Sequence, residues 1–266
     1  KINNLFRKLN DLYLVNYGYC VDWPYAISKS KNNLFQGEIL FIKKLKKIDI
    51  KNCVDIGANI GDYTIEILNQ TNAKVFAFEP MPASFKDLLK IKEKFNQRLE
   101  VFNVALSNVK KKDYIFHGSS KSPIASLSAD VNQIKHFGDQ NTNKTEVSLN
   151  TFDNFSEIIN EEFIDFIKID TEGHESRVID GGKQIIKNKK VKIIQIEYNI
   201  HHLVTKTTIS EISKKLGDFD VFILNILDGS LKKIDPLDSF SNLYILSYFI
   251  FIEKNFYEKN KKIFLT

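Results

Sequence analysis

Cysteine is nearly absent: the 266 residues hold only Cys20 and Cys53. Two unpatterned cysteines exclude a disulfide framework or a zinc site, and a reducing cytoplasm is the natural setting. Arginine is scarce as well, with only Arg7, Arg98 and Arg177 among 38 basic residues. Lysine, asparagine, isoleucine and phenylalanine are abundant, so the composition reflects an A+T-rich genome rather than a lysine-dependent function. The formal charge of +5 is modest for this length. No aromatic-basic RNA motif accompanies the lysine clusters at 43–47, 110–112 and 187–190, which read as solvated helix ends and turns; nucleic acid is disfavoured as a partner. Long apolar runs are missing too. The longest, Leu243 to Ile252, is broken by Ser247 and falls far short of the roughly 20 residues of a spanning helix. Lys1 to Asn10 lacks the apolar core and small-residue cleavage site of a signal peptide. A soluble, cytoplasmic protein is expected.

A further absence concerns glycine. A dinucleotide fingerprint needs G-x-G-x-x-G, whereas the glycine turn here reads Gly57-Ala58-Asn59-Ile60-Gly61 with no G-x-G. That weakens the case for a pyrophosphate ligand. The turn is still well framed: Val54 and Ile56 flank Asp55 in a short apolar run ending at Gly57, and Tyr63, Ile65, Ile67 and Leu68 then take up helical spacing. The pattern predicts a strand, a tight turn and a helix. Gly57 and Gly61 remove side chains where a ligand lies against backbone, and Asn59 tolerates the positive φ of a sharp turn. The helix start offers N–H groups to an anionic or dipolar ligand end. Glu79 closes the next apolar run, where an acid can accept both ribose hydroxyls of a nucleoside. S-adenosylmethionine has no phosphate and needs only such a turn for its methionine end and such an acid for its ribose. On this stretch alone, a turn that binds nothing stays open.

With 43% hydrophobic residues and 21 phenylalanines, the chain can bury a substantial core. Periodicity places a helix from Phe35, with Ile39, Leu40, Ile42 and Leu45 on one face, and another capped by Ser84. Thr171 to Glu175 opens a helix carrying Val178, Ile179, Ile185 and Ile186, and a further helix runs from Ile209 to Gly217. Strands are expected at 101–104, 146–149, 164–169, 191–196, 219–224 and 243–246, the last two joined through Asp228-Gly229-Ser230. Thr151 or Asp153 is expected to cap a helix. Residues 1–34 read as an N-terminal extension whose aromatic stretch around Trp23 docks on the core or lines an acceptor pocket. Residues 35–266 read as one domain, with 107–146 a loop insertion of little regular structure on the substrate side. His201 and His202 read as neighbours on a surface turn rather than as a metal pair.

Four segments follow in order: V-D-I-G-A-N-I-G-D-Y-T from Val54, F-A-F-E-P-M-P from Phe76, N-V-A-L-S-N from Asn103, and I-D-F-I-K-I-D-T-E-G-H-E-S-R-V-I-D-G-G from Ile164. In order and spacing they resemble the signatures of the FkbM family of methyltransferases, from roughly Phe35 to Asn199. The resemblance implies an α/β, class I methyltransferase (Rossmann-like) fold. That fold is a seven-stranded, mostly parallel sheet with helices on both faces and a C-terminal antiparallel hairpin. It also implies S-adenosylmethionine as donor and a hydroxyl acceptor on a sugar, a glycan or glycolipid, or another small natural product. The cofactor seat it implies comprises Asp55, Gly57, Ala58, Asn59, Gly61, Asp62, Tyr63, Glu79 and Pro80. Asn103, Val104 and Ala105 would flank the adenine, with Asn103 a partner of the base.

Asp170 ends its strand at the rim where open α/β sheets bind ligands, together with Asp55 and Glu79. Methyl transfer to a hydroxyl is an in-line displacement that needs alignment and removal of the hydroxyl proton. The candidates are Asp170, Glu172, His174 and Glu197. Lys168, two residues before Asp170 in a strand, projects on the same face and can pair with it, keeping it ionised. The general-base role is divided between Asp170 or Glu172 and His174, which titrates nearest neutral pH. A magnesium ion held by Asp170, Glu172 and Glu197 is an alternative, since hard oxygen ligands suit it. Two other functions stay open. One is a nucleic-acid 2′-O-methyltransferase, which the Lys168, Asp170, Glu197 set resembles in part; the other is a noncatalytic nucleoside-binding subunit.

Overall fold

The computed structural model describes residues 34–134 and 142–265. The expected N-terminal extension and its aromatic stretch lie outside the described residues, apart from Leu34. The main sheet contains β1 (Asn52–Ile56), β2 (Lys74–Phe78), β3 (Leu99–Phe102), β7 (Phe166–Ile169), β8 (Ile193–Tyr198), β9 (Phe219–Leu224), β10 (Leu231–Lys233) and β11 (Ser247–Glu253). Its order is β10-β9-β11-β8-β7-β1-β2-β3. From β3 to β8 the strands pair in parallel, and β11 runs antiparallel to both β8 and β9.

The near-continuous apolar strands follow from burial on both faces. Successive residues point to opposite sides, so Cys53, Val75, Phe166 and Ile250 enter one core, and Val54, Phe76, Ile167 and Phe249 enter the other. The first core is covered by helices Gln36–Ile48, Asp62–Gln70 and Lys254–Leu265. The second is covered by Glu175–Asp180, Lys183–Asn188 and Ile209–Leu216. Each fully buried aromatic or aliphatic side chain in these layers stabilises the fold by about 1.5–3 kcal/mol relative to exposure. Pairing of Ile56 with both Phe78 and Ile169 aligns the carboxyl ends of β2, β1 and β7. The residues that follow these strands therefore share one rim.

Several local expectations change. Residues 243–246 are not a strand; β11 begins at Ser247 and inserts between β8 and β9, while the Asp228-Gly229-Ser230 turn joins β9 to the short β10. The 107–146 segment contains β5 (Lys111–His117), which pairs along its whole length with β6 (Asn143–Thr151). With β4 (Ala105–Ser107) they form a second sheet over a small core of Met81, Ala105, Ile115, Val147 and Leu149. Lys111 and Lys112, adjacent and both exposed, break that strand's period in the sequence. Ser84 lies inside helix Pro82–Phe95 and donates to Asn59 Oδ1 at 3.0 Å instead of capping. Thr151 makes no side-chain cap bond, whereas Asp153 accepts from the Ile185 N–H at 2.8 Å. Gly181-Gly182 divides the expected helix after Thr171 into two short ones.

Candidate active site

The loop after β1 turns through Gly57 (φ 81°), Asn59 (φ 47°) and Gly61 (φ 93°) before helix Asp62–Gln70. A Cβ at Gly57 would lie 1.8 Å from the Asp170 carbonyl oxygen, and one at Gly61 would lie 2.4 Å from Ile91 Cδ1. Both glycines are thus demanded by protein neighbours, β7's end and the Pro82–Phe95 helix. Asp55 is fully buried and does not line the cavity beside the loop. Its Oδ2 accepts from Thr64 Oγ1 at 2.6 Å. Burial pushes its carboxyl up, against the pull of Lys168 and Thr64. It shapes the loop from below.

That cavity, of about 400 Å³, is lined by Gly57, Ala58, Asn59, Asp62, Tyr63, Glu79, Pro80, Val104 and Ala105. Glu79 is buried, and its two oxygens accept from the Asn59 N–H at 2.8 Å and the Met81 N–H at 2.7 Å. Each carboxylate oxygen can accept twice, so capacity remains for ribose hydroxyls. Burial lifts its pKa to about 7, opposed by the two backbone N–H groups. Asn103 departs from expectation: its amide donates to the carbonyls of Glu79 and Pro80, at 2.8 and 3.0 Å, and it does not line the cavity. It clamps β3 to β2's exit. Neither does Gly61 line the cavity.

At the β7 and β8 side of the same cavity stand Lys168, Asp170, Glu172 and Glu197. Lys168 Nζ lies 2.8 Å from Asp170 Oδ2 and 5.2 Å from the Tyr63 ring centre. Burial raises Asp170 to about 6, with Lys168 opposing and Glu172 adding to the rise. Burial disfavours the Lys168 ammonium, but Asp170 and Asp55 outweigh it and hold its pKa above the ordinary lysine value. Glu197 is pushed well above the carboxylate range by burial, Asp170 and Glu172. Glu172 adopts a left-handed backbone (φ 53°). Asn199 Nδ2 donates to both Glu172 Oε2 and Glu197 Oε1 at 3.0 Å, and His201 Nδ1 pairs with Glu172 Oε2. Oxygens of Asp170, Glu172 and Glu197 lie within 4.8 Å of one another.

The histidines require corrections. His174 is buried away from the cavity, with Nε2 2.9 Å from Ser107 Oγ. Burial, with Arg177 nearby, depresses it to about 4. It has neither the position nor the proton affinity of the expected base. His201 and His202 are not on a surface turn; both are fully buried. His202 Nδ1 accepts from the Asn199 N–H at 3.2 Å, and its Nε2 lies 2.9 Å from Glu175 Oε2. Burial opposes ionisation of Glu175, but His202 and the Glu175 and Thr171 N–H groups prevail and hold it down at about 2. The pairings of Glu172 with His201 and of Glu175 with His202 span more than twenty residues, and no local spacing announces them. Sequence reasoning also missed Glu38 and Tyr248, buried polar residues that line the cavity, and Ser126, whose hydroxyl donates to the Glu172 carbonyl at 2.8 Å.

A mostly parallel sheet of this order, with a glycine turn after β1 that lacks the dinucleotide G-x-G and an acid after β2, is the arrangement of class I methyltransferases, which take S-adenosylmethionine as methyl donor. The model of the Methyltransferase FkbM domain matches residues 55–223, and the chain belongs to that family. No curated protein sequence matches it. Among solved structures it is similar to the METTL16 methyltransferase domain, with 13% identity and a TM-score of 0.46, covering 80% of this chain and 65% of that one. It is also similar to precorrin-6y C5,15-methyltransferase from Geobacter metallireducens, with 13% identity, TM-score 0.41, and coverage of 82% and 87%. A third is an O-methyltransferase from Bacillus cereus in complex with S-adenosylhomocysteine, with 11% identity, TM-score 0.42, and 86% of each chain covered.

Proposed function

We propose that this methyltransferase acts on a hydroxyl oxygen of a neutral, polyhydroxylated small molecule: a sugar, or the sugar of a glycan or glycolipid. The observation that carries the reading is the group of carboxylates, Asp170, Glu172 and Glu197, at one side of the cofactor cavity. S-adenosylmethionine, when bound, supplies an electrophilic methyl group. Gly57, Ala58, Asn59, Asp62 and Tyr63 would seat its methionine end and Glu79 its ribose, with Pro80, Val104 and Ala105 against the adenine. Asp170 would accept the hydroxyl proton, kept usable as a base near neutral pH by the Lys168 ammonium. Glu172 and Glu197 would align the acceptor through its hydroxyls. An acidic mouth repels a phosphate backbone, which argues against a nucleic-acid acceptor.

Magnesium takes oxygen donors of this kind. Each of the three carboxylates is nevertheless already held, Asp170 by Lys168, Glu172 by His201 and Asn199, and Glu197 by Asn199. The set fits proton handling better than a metal cradle. We take residues 35–266 as one catalytic domain in which 107–146 forms the acceptor wall, since Ser122 to Ala125 and Leu127 line the cavity. Among the described residues, no helix is long and apolar enough to cross a membrane, and a cytoplasmic setting is part of the same proposal. Methyl transfer from labelled donor to a panel of glycans and glycolipid precursors tests the reading. Turnover with RNA alone, weakening steeply with salt, would overturn it.

A further inference from the structure

Glu38 has no part in the chemistry above, yet it is among the most buried carboxylates in the protein, 1% exposed, and its side chain reaches the cavity wall from helix Gln36–Ile48. Its oxygens are held from behind. Oε2 accepts from the Phe35 N–H at 3.1 Å, and Oε1 accepts from Gln195 Nε2 at 3.1 Å. The Gln195 amide cannot turn away, because its own oxygen accepts from the Tyr63 hydroxyl at 2.7 Å. A carboxylate offers about four acceptor directions, so two remain for a ligand. Among the described residues no cation pairs with it: Lys168, the nearest in effect, is bound to Asp170 at 2.8 Å. A buried carboxylate without a cation is costly, and burial does push Glu38 up to about 7, with Lys168 opposing.

The topology says which ligand group meets it. In the sheet order, Glu79 stands on the β2 side of the glycine turn, whereas Gln195, the side-chain partner of Glu38, stands on β8 at the other side. A nucleoside held at Glu79 therefore extends its remaining end across β1's exit toward Glu38. In S-adenosylmethionine that end carries an ammonium, a carboxylate and, closer in, the sulfonium. The lining adds to the sign: beside Glu197, which burial holds neutral, it carries five further acids against Lys121 and Lys168, and Lys121 is itself bound to Asp87 at 2.5 Å. A ligand carboxylate is repelled from this wall; an ammonium is drawn to it.

We infer that Glu38, braced by Gln195 and Tyr63, receives the α-ammonium of the cofactor's methionine moiety. The inference rests on the cofactor seat proposed above. Calorimetry on the intact protein with three probes tests it: S-adenosylhomocysteine, its deaminated analogue, and 5′-methylthioadenosine, which lacks the whole amino-acid end. For the wild type, the deaminated analogue binds at least tenfold more weakly than S-adenosylhomocysteine. Glu38→Gln, which keeps an oxygen for the Phe35 N–H, erases that difference and leaves 5′-methylthioadenosine within twofold. Equal binding of parent and deaminated analogue by the wild type overturns the inference, and this arm stands even where the variant fails to fold. Loss of all three probes in a folded Glu38→Gln protein also overturns it, since that marks a structural role; so does a change confined to acceptor KM. Binding of none of the probes to the wild type would bring down the cofactor seat itself, and this inference with it.

Discussion

Lys168 and Asp170 project from the same face of β7 and meet at 2.8 Å, Lys168 buried and Asp170 half-buried. The two-residue spacing of a strand enforces the meeting. It places a fixed positive charge behind the carboxylate proposed to take the acceptor's proton, and the first two predictions follow from it.

Asp170→Asn and Glu172→Gln should leave the fold intact and lower turnover by roughly 100-fold or more, the usual worth of a placed acid or base. His174→Ala should change turnover only a few-fold, because His174 faces Ser107 rather than the cavity. The base must be ionised to work, and burial raises Asp170 to about 6. The rate should therefore climb with pH through that region and level off above it. Steady-state rates from pH 5 to 8 check this; a dead His174→Ala enzyme with active carboxamide variants would move the base to the histidine.

Treatment with a chelator should leave the initial rate within about twofold, since Lys168, His201 and Asn199 already engage the three carboxylates. Loss of activity on chelation, restored by magnesium, would instead make the trio a metal cradle of hard oxygen ligands.

Glu79→Ala should weaken binding of S-adenosylhomocysteine by about 1.5–3 kcal/mol, the scale of a hydrogen bond to a charged group. The carboxyl titrates at about 7 through burial, so wild-type affinity should fall as pH drops below that value. The variant should lack that dependence, which calorimetry at pH 6 and 8 would show.

The Glu175–His202 pair lies wholly out of solvent. Glu175→Ala leaves both His202 and the Thr171 N–H without their acceptor and should cost about 3–5 kcal/mol in denaturant unfolding at pH 7. Glu175 has a folded pKa of about 2 against an ordinary 4.5. Its contribution is therefore complete above pH 4.5 and declines as pH falls toward 2.

What could be read in the sequence was local. Val54 to Tyr63 places strand, turn and helix through apolar spacing and two glycines, and Glu79, Lys168 and Asp170 are legible because each closes or precedes a strand end. The Gly57 turn was legible in shape but not in cause, since the group it makes room for is the Asp170 carbonyl from far along the chain. The Glu38–Gln195 bond and the pairings of Glu172 with His201 and Glu175 with His202 join distant segments, and periodicity carries no trace of them. β5 escaped notice because lysines at its exposed positions give it the composition of a loop.

The place of β11 bears on how the protein comes into being. The strand from Ser247 to Glu253 follows β8, β9 and β10 in the chain, yet it occupies an interior position between β8 and β9. Until it arrives, β8 presents an unpaired, strongly apolar margin that any other nascent strand could occupy. Strands β8 to β10 can therefore be joined into one sheet only through a strand made after all of them, and a truncation before Ser247 should leave two open sheet margins rather than a shorter sheet.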